Sequence, residues 1–326
     1  MPSLVGKRRI LRKISPMAYC FTAKLCFAAI MCRSVTNSFG WHAPIARSGM
    51  RIIMKQSTYF PSRPDIPADL FLFMGQSNMA GRGVTCPRFP QEAPDCLPGA
   101  GWEFRAVSDP HRLYPAAEPF GALENRPGGI FEPGMKTGSM VTAFINAYFE
   151  ETRTPVIGIS ASKGGSAIRE WQPGSPYLAD ALLRLETAER YLTENRIPIR
   201  HRFVLWCQGE TDGDLGTAPA LYEKSFLSML EVLLSHSVER LFMVRIGLYN
   251  IDATCGLPVP DYVPIQRAQE RLAESCPQVT MVSRLFAGMQ SQGLMKDAFH
   301  YYQHAYNLVG EDAGRHAGQY VREHPV

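Results

Sequence analysis

The stretch DLFLFMGQSNMAGRG, Asp69 to Gly83, opens with six residues, five of them apolar, and runs straight into glycine, serine and asparagine. A run of strand length without polar alternation reads as a strand buried on both faces. Four more runs of this kind follow: Pro155–Ala161 (PVIGISA), Arg202–Cys207 (RFVLWC), Arg240–Gly247 (RLFMVRIG) and Val279–Arg284 (VTMVSR). Between them the period changes. Met140, Phe144 and Tyr148 recur at i, i+4, i+8, and Leu178, Leu182, Leu185 and Leu192 line one face, while further helices are expected over 218–236, 262–275 and 303–319. Strands alternating with helices imply right-handed crossovers and a parallel sheet covered on both sides. The expected fold is therefore α/β: a three-layer α/β/α, doubly wound, flavodoxin-like sheet in one domain over 65–326. Such sheets bind ligands beyond the carboxyl ends of their strands.

The composition agrees with a globular chain. Of 326 residues, 45% are hydrophobic and 20% charged, which excludes collagen-like, coiled-coil and largely disordered classes. The net charge of +4 is unevenly placed, since residues 1–64 hold eleven Lys/Arg and no acid before Asp65. The remaining 23 basic side chains are outnumbered by all 30 acidic ones, so the basic character belongs to the leader and gives no reason to expect a nucleic-acid partner. Three readings fit residues 1–64: a weak secretion signal interrupted by Lys24, an Arg-rich organelle presequence, or a start placed too far upstream, with Met50 or Met54 as the true beginning. The compartment, cytoplasmic or exported, stays open with them. No apolar run reaches the ~18 residues of a spanning helix, so no integral membrane span is expected. The eight cysteines form no CxxC pair and no zinc spacing; Cys86 and Cys96 flank a proline-rich loop and could bridge in an exported protein, but read first as unpaired thiols. Residues 84–137 carry nine prolines and no periodicity, and a loop that long is expected to form part of the substrate cleft.

Four segments carry candidate chemistry. Ser77, at a strand-to-helix turn among glycines, can expose its hydroxyl at the sheet edge and present its own N–H to developing negative charge. A plain Gly/Ser/Asn turn has the same local pattern. A phosphate-binding P-loop is excluded, because Ala80 stands where that motif needs glycine followed by lysine. The second segment, SKGGSAIREW from Ser162 to Trp171, pairs Gly164 with Gly165, so backbone N–H groups can approach an anion without a β-carbon in the way, although an ordinary turn would read alike. The third, WCQGETD from Trp206 to Asp212, places Gln208, Glu210 and Asp212 after a buried strand, where polar groups need partners. The fourth, DAFH from Asp297 to His300, spaces an acid and a histidine so that the carboxylate reaches the ring and selects its tautomer. His304 offers a metal-binding alternative with His300 and Asp297, but the HExxH glutamate is lacking.

Taken in order over residues 69–315, the four segments resemble the SGNH-type esterases, most closely the branch of sialate O-acetylesterases and the acetyl xylan esterases of carbohydrate esterase family six. The resemblance implies the SGNH hydrolase fold and a serine esterase that removes O-acetyl groups from a carbohydrate, with no metal and no cofactor; the alternatives are a catalytically silent carbohydrate-binding protein of the same fold and a serine hydrolase of other short-chain esters. It makes Ser77 the nucleophile and His300 the general base oriented by Asp297. The oxyanion hole would use the N–H of Ser77, the N–H of Gly165 and the side-chain amide of Gln208, which stands where the family usually has asparagine. Asn78, Gly164, Glu210 and Asp212 would be supports, and Arg82, Arg169 and Trp171 structural or substrate-facing residues. Lys163 and the Tyr301–Tyr302 pair depart from the family pattern and are expected to border the cleft.

Overall fold

The computed structural model describes residues 61–253 and 259–325. The leader readings, and Cys20, Cys26, Cys32 and Cys255, lie outside the described residues apart from 61–64.

The expected strands form as β1 (Ala68–Gly75), β4 (Val156–Ser162), β5 (Ile199–Cys207), β6 (Arg240–Val244) and β7 (Val279–Ser283). They lie in the order β4-β1-β5-β6-β7, all parallel, which is the doubly wound, flavodoxin-like sequence of neighbours. Two strands inside the proline-rich interval escaped the pattern reading: β2 (Gly101–Phe104) adds to β4 in parallel, and β3 (Leu113–Pro115) closes the edge antiparallel to β2. The sheet therefore has seven strands and is mixed at one edge, not wholly parallel as expected. Four- and three-residue strands are too short to show a period.

Two helical layers cover the sheet. On one face lie α3 (Pro176–Glu194), α5 (Pro219–Ser235) and α6 (Val263–Ser275), packed on Leu70, Leu72, Met74, Val204 and Trp206. On the other, α2 (Val141–Thr152) and α7 (Gln303–Glu323) pack on Phe71, Phe73, Phe203, Leu205 and Cys207. The alternation along β1 and β5 sends successive side chains to opposite layers, and both layers are apolar. Proline at the first helical position and the Ser175 hydroxyl accepting the Leu178 N–H start α3 where its leucine face begins. Two short helices, α1 (Ser77–Ala80) and α4 (Glu210–Asp214), follow β1 and β5 directly. No helix of the described residues is long and apolar enough to cross a membrane.

Outside β2 and β3, the interval 84–137 is held by carboxylates. Glu124 accepts the Val107 and Ser108 N–H groups, Glu118 those of Phe120 and Ser139, and Asp180 on α3 that of Ile130 together with Arg126 and Arg184. The bonds from N–H groups satisfy backbone donors that a strand or helix would otherwise have paired, and the two arginines neutralise Asp180. Cys86, Cys96, Cys207 and Cys276 are free, in line with unpaired thiols.

α2 and α7 pack backbone against backbone. A β-carbon at Gly310 would lie 2.3 Å from the Met140 carbonyl oxygen, one at Gly314 2.3 Å from that of Phe144, and one at Gly318 2.6 Å from the Glu151 β-carbon. Glycine every fourth residue lets the two backbones touch along a stripe. Gly314→Ala should therefore cost about 1–3 kcal/mol of unfolding free energy by overpacking, read as a lower urea midpoint; an unchanged midpoint would show that the two helices separate freely.

Candidate active site

The register of the sheet brings three of the four segments to one level. Gly75 pairs with Ser162 on β4 and with Cys207 on β5, so the chain leaves the sheet at these three points side by side, at the switch point where the winding reverses. The exits are tied together: Gln76 N–H donates to the Cys207 carbonyl at 2.9 Å, and Lys163 N–H to that of Gly75 at 2.8 Å. Gly75 has φ +142°, and a β-carbon there would sit 2.0 Å from the Cys207 carbonyl oxygen.

Ser77 begins α1 beyond this row, and its side chain meets the loop after β7. His300 Nε2 lies 3.0 Å from Ser77 Oγ, and His300 Nδ1 lies 2.9 Å from Asp297 Oδ2. The other Asp297 oxygen accepts the N–H groups of Phe299 at 3.0 Å and His300 at 2.7 Å, which orients the carboxylate on a bend. Burial by itself would raise the Asp297 pKa, but the bonds and charge of His300 and the two amides outweigh it and hold the carboxyl at about 2. Asp297 therefore keeps its charge at neutral pH and fixes the proton of His300 on Nδ1, leaving Nε2 to accept from the serine hydroxyl. His304 is not part of this cluster: it lies on α7 with its ring stacked on Phe89.

The cleft in front of Ser77 has a volume of about 420 Å³ and is walled by Arg82, Lys163, Gly164, Gly165, Glu210 and His300, with Phe131, Glu132 and Met135 from the proline-rich interval. That interval contributes to the cleft as expected. A larger hollow of about 520 Å³, between residues 83–96 and 116–119, reaches neither Ser77 nor His300. Gly165 has φ +70° and open space on its β-carbon side, and its N–H makes no hydrogen bond among the described residues. The Ser77 N–H lies in the first turn of α1, where amides have no intrahelical acceptor. Two amides are thus available beside the Ser77 hydroxyl.

The third expected donor is not presented. Gln208 is fully buried and gives its amide hydrogens to the Ser166 carbonyl at 3.0 Å and to Asp212 Oδ2 at 2.5 Å. Asp212 also accepts the Ile168 N–H at 2.8 Å, so the pair joins the second segment to the third from behind. Family pattern pointed Gln208 at the cleft, but the nearer acceptors on β4's exit and on α4 take its protons. Trp171 is likewise internal, donating to the Ser166 hydroxyl at 2.9 Å and crossing Trp206 edge-on. Of the residues expected to border the cleft, Lys163 does so, whereas Tyr301 is buried against Phe286 with ring centroids 4.3 Å apart.

Asn78 and Glu210 link the remaining exits. Asn78 donates to Glu210 Oε1 at 2.5 Å and to the Phe299 carbonyl at 3.0 Å, and accepts from the Tyr306 hydroxyl at 2.6 Å. One side chain thereby joins the residue after Ser77 to the residue before His300. Gln76, which no sequence argument singled out, accepts the Gly209 and Thr211 N–H groups. Glu132 and Tyr306 were equally missed, one in an aperiodic loop and one among the buried residues of α7.

Glu210 is buried, and its Oε2 has no hydrogen-bond partner. Burial raises its pKa to about 7 against the opposing bond from Asn78. A carboxyl raised in the folded state contributes stability below its unfolded pKa of about 4.3, and that contribution fades as pH rises through the folded value. Wild type should therefore lose stability relative to Glu210→Gln between pH 5 and about 8, with urea midpoints that diverge as pH rises. Parallel midpoint curves would show that Glu210 carries no such proton.

A family model described as carbohydrate esterase, sialic acid-specific acetylesterase matches residues 67–319. A probable carbohydrate esterase of Arabidopsis thaliana is 32% identical over 162 residues, which are 46% of this chain and 56% of that relative. The match thus spans little more than half the length of the curated relative. An Arabidopsis thaliana protein of known crystal structure superposes with a TM-score of 0.58 at 23% identity, over 78% of this chain and 98% of that one, and shares the fold. A carbohydrate acetylesterase of Xanthomonas citri gives a TM-score of 0.49 at 16% identity, over 78% of this chain and 56% of that one.

Proposed function

We propose, from the premise that this chain belongs to the carbohydrate esterase family described as sialic acid-specific acetylesterase, that it is a serine esterase removing O-acetyl groups from a carbohydrate through an acyl-enzyme. The observation that carries the reading is the continuous chain from Asp297 through His300 to Ser77, with spacings of 2.9 and 3.0 Å, opening on a cleft of about 420 Å³.

In this reading Ser77 Oγ attacks the acetyl carbonyl as His300 Nε2 takes its proton, and Asp297 stabilises the imidazolium through Nδ1–H. The carbonyl oxygen becomes an oxyanion and is received by the N–H groups of Ser77 and Gly165; a donor of this kind contributes about 3 kcal/mol where charge develops. Collapse breaks the bond to the sugar oxygen, which leaves with the proton from His300 and so departs as a free hydroxyl. A water then repeats the sequence on the acyl-enzyme, releasing acetate and restoring Ser77. Asn78, Gly164, Glu210 and Asp212 support the arrangement from behind, and Gln208 joins them in place of its expected part in the oxyanion hole.

The chemistry at Ser77 does not by itself choose the alcohol. Sialic acid and acetylated polysaccharide both suit a polar cleft carrying Arg82, Lys163 and Glu210. One observation favours a second reading, a hydrolase of other short-chain esters: Phe131 and Met135, 46% and 53% exposed, put apolar surface at the mouth of the cleft.

Both readings are tested by hydrolysis of 4-nitrophenyl acetate, butyrate and octanoate. Acetate should be preferred, and Ser77→Ala and His300→Ala should each lower kcat by at least about 10³-fold with the fold retained. Turnover undiminished in Ser77→Ala would refute the nucleophile, and a butyrate preference would move the assignment to the second reading.

A further inference from the structure

We propose that Glu132, from the proline-rich interval, is a positioning residue for the oxyanion-binding turn: it holds the Gly164 N–H so that, of the amides in that turn, only the Gly165 N–H is left to join that of Ser77 in facing the reacting carbonyl. The inference rests on the reading of Ser77 as nucleophile given above and goes beyond it, because Glu132 belongs to none of the four segments.

The geometry is specific. Glu132 Oε1 accepts the Gly164 N–H at 2.7 Å and Arg82 Nη2 at 2.7 Å, while the Glu132 N–H donates to Asn125 Oδ1 at 2.7 Å. Arg82 and Glu132 are both buried, with side chains 8% and 5% exposed, and the Lys163 ammonium is 3.8 Å from the same oxygen. One carboxylate oxygen thus fastens the turn after β4 to the turn after β1, with charge-assisted bonds in a poorly hydrated place. Each amide of the β4 exit then has a distinct fate. The Lys163 N–H goes to the Gly75 carbonyl, the Gly164 N–H to Glu132 and the Ser166 N–H to the Lys163 carbonyl at 3.4 Å, and only that of Gly165 remains free among the described residues.

The same carboxylate explains why residue 164 is glycine. A β-carbon there would stand 2.4 Å from Glu132 Oε1, 2.5 Å from Arg82 Nη2 and 3.4 Å from the Ser77 β-carbon. The pair occupies the space a side chain would need, directly behind the nucleophile. Without Glu132 the turn loses its anchor, the Gly164 N–H competes for the oxyanion or for water, and Arg82 is left buried without its partner.

Because the donor acts on charge that develops only in the transition state, its misplacement should appear in kcat and not in KM. Glu132→Ala is expected to lower kcat on 4-nitrophenyl acetate about 10- to 100-fold, with KM within about threefold of wild type. Glu132→Gln keeps an oxygen for the Gly164 N–H and should recover kcat to within about fivefold of wild type. Gly164→Ala should lower kcat in the wild-type background and add less to Glu132→Ala, where the contact with Glu132 Oε1 is gone and only the one with the flexible Arg82 guanidinium remains. Wild-type kcat in folded Glu132→Ala, equal damage in Glu132→Gln, or fully additive losses in the double variant would each overturn the proposal. If Glu132→Ala does not fold, Glu132→Gln and Gly164→Ala decide by the same criteria. Ser77→Ala is assayed alongside: activity retained there removes the underlying reading, whereas an inert Ser77→Ala beside an unaffected Glu132→Ala overturns only the inference.

Discussion

The row formed by Ser162, Gly75 and Cys207 is the constraint on which the site depends. Three parallel strands release their chains at one level, and the hydrogen bonds from Gln76 and Lys163 lock the exits to each other. The lock works only because Gly75, at φ +142°, brings its α-carbon against the Cys207 carbonyl, where no side chain fits. Shifting β1 by one residue against its neighbours would exchange its two faces, sending Phe71 and Phe73 into the layer shaped for Leu70 and Leu72. The apolar layers thereby hold the register, and the register holds the chemistry.

Behind the row lie three buried carboxylates, of which Glu132 is ion-paired with Arg82. Asp212 joins the second and third segments, Glu210 the first and third, and Glu132 the first and second. Burial raises the pKa of Glu210 and of Asp212, which shows that the fold spends stability to keep them there. Asp297 is the opposite case, nearer solvent and held low by His300 and two amides. Burial thus disfavours the charged forms of Glu210 and Asp212, while Asp297 keeps its charge at neutral pH.

Much of this was legible in the sequence, and the reason is local. Each of the five principal strands is a short apolar run, and each long helix shows a 3.6 period, so their alternation was enough for the doubly wound sheet. The Ser77 turn and the Asp297-to-His300 spacing carried their chemistry within nine and four residues. What escaped shares one property, that its meaning is non-local. β2 and β3 are too short for a period, and Glu132 acts only once Arg82 and Gly164 are beside it. Gln208 shows the converse: its segment announced a cleft residue, yet the side chain turned inward to acceptors that the linear pattern does not reveal.

The two ends of the reactive hydrogen bond, Ser77 and His300, are separated by 223 positions along the chain. Closing so long a loop is entropically unfavourable until the intervening crossovers have formed and docked. The histidine loop is in turn continuous with α7, whose glycine stripe seats it against α2. The Ser77–His300 contact is therefore a property of the completed topology: no isolated crossover or half-formed sheet contains both of its ends.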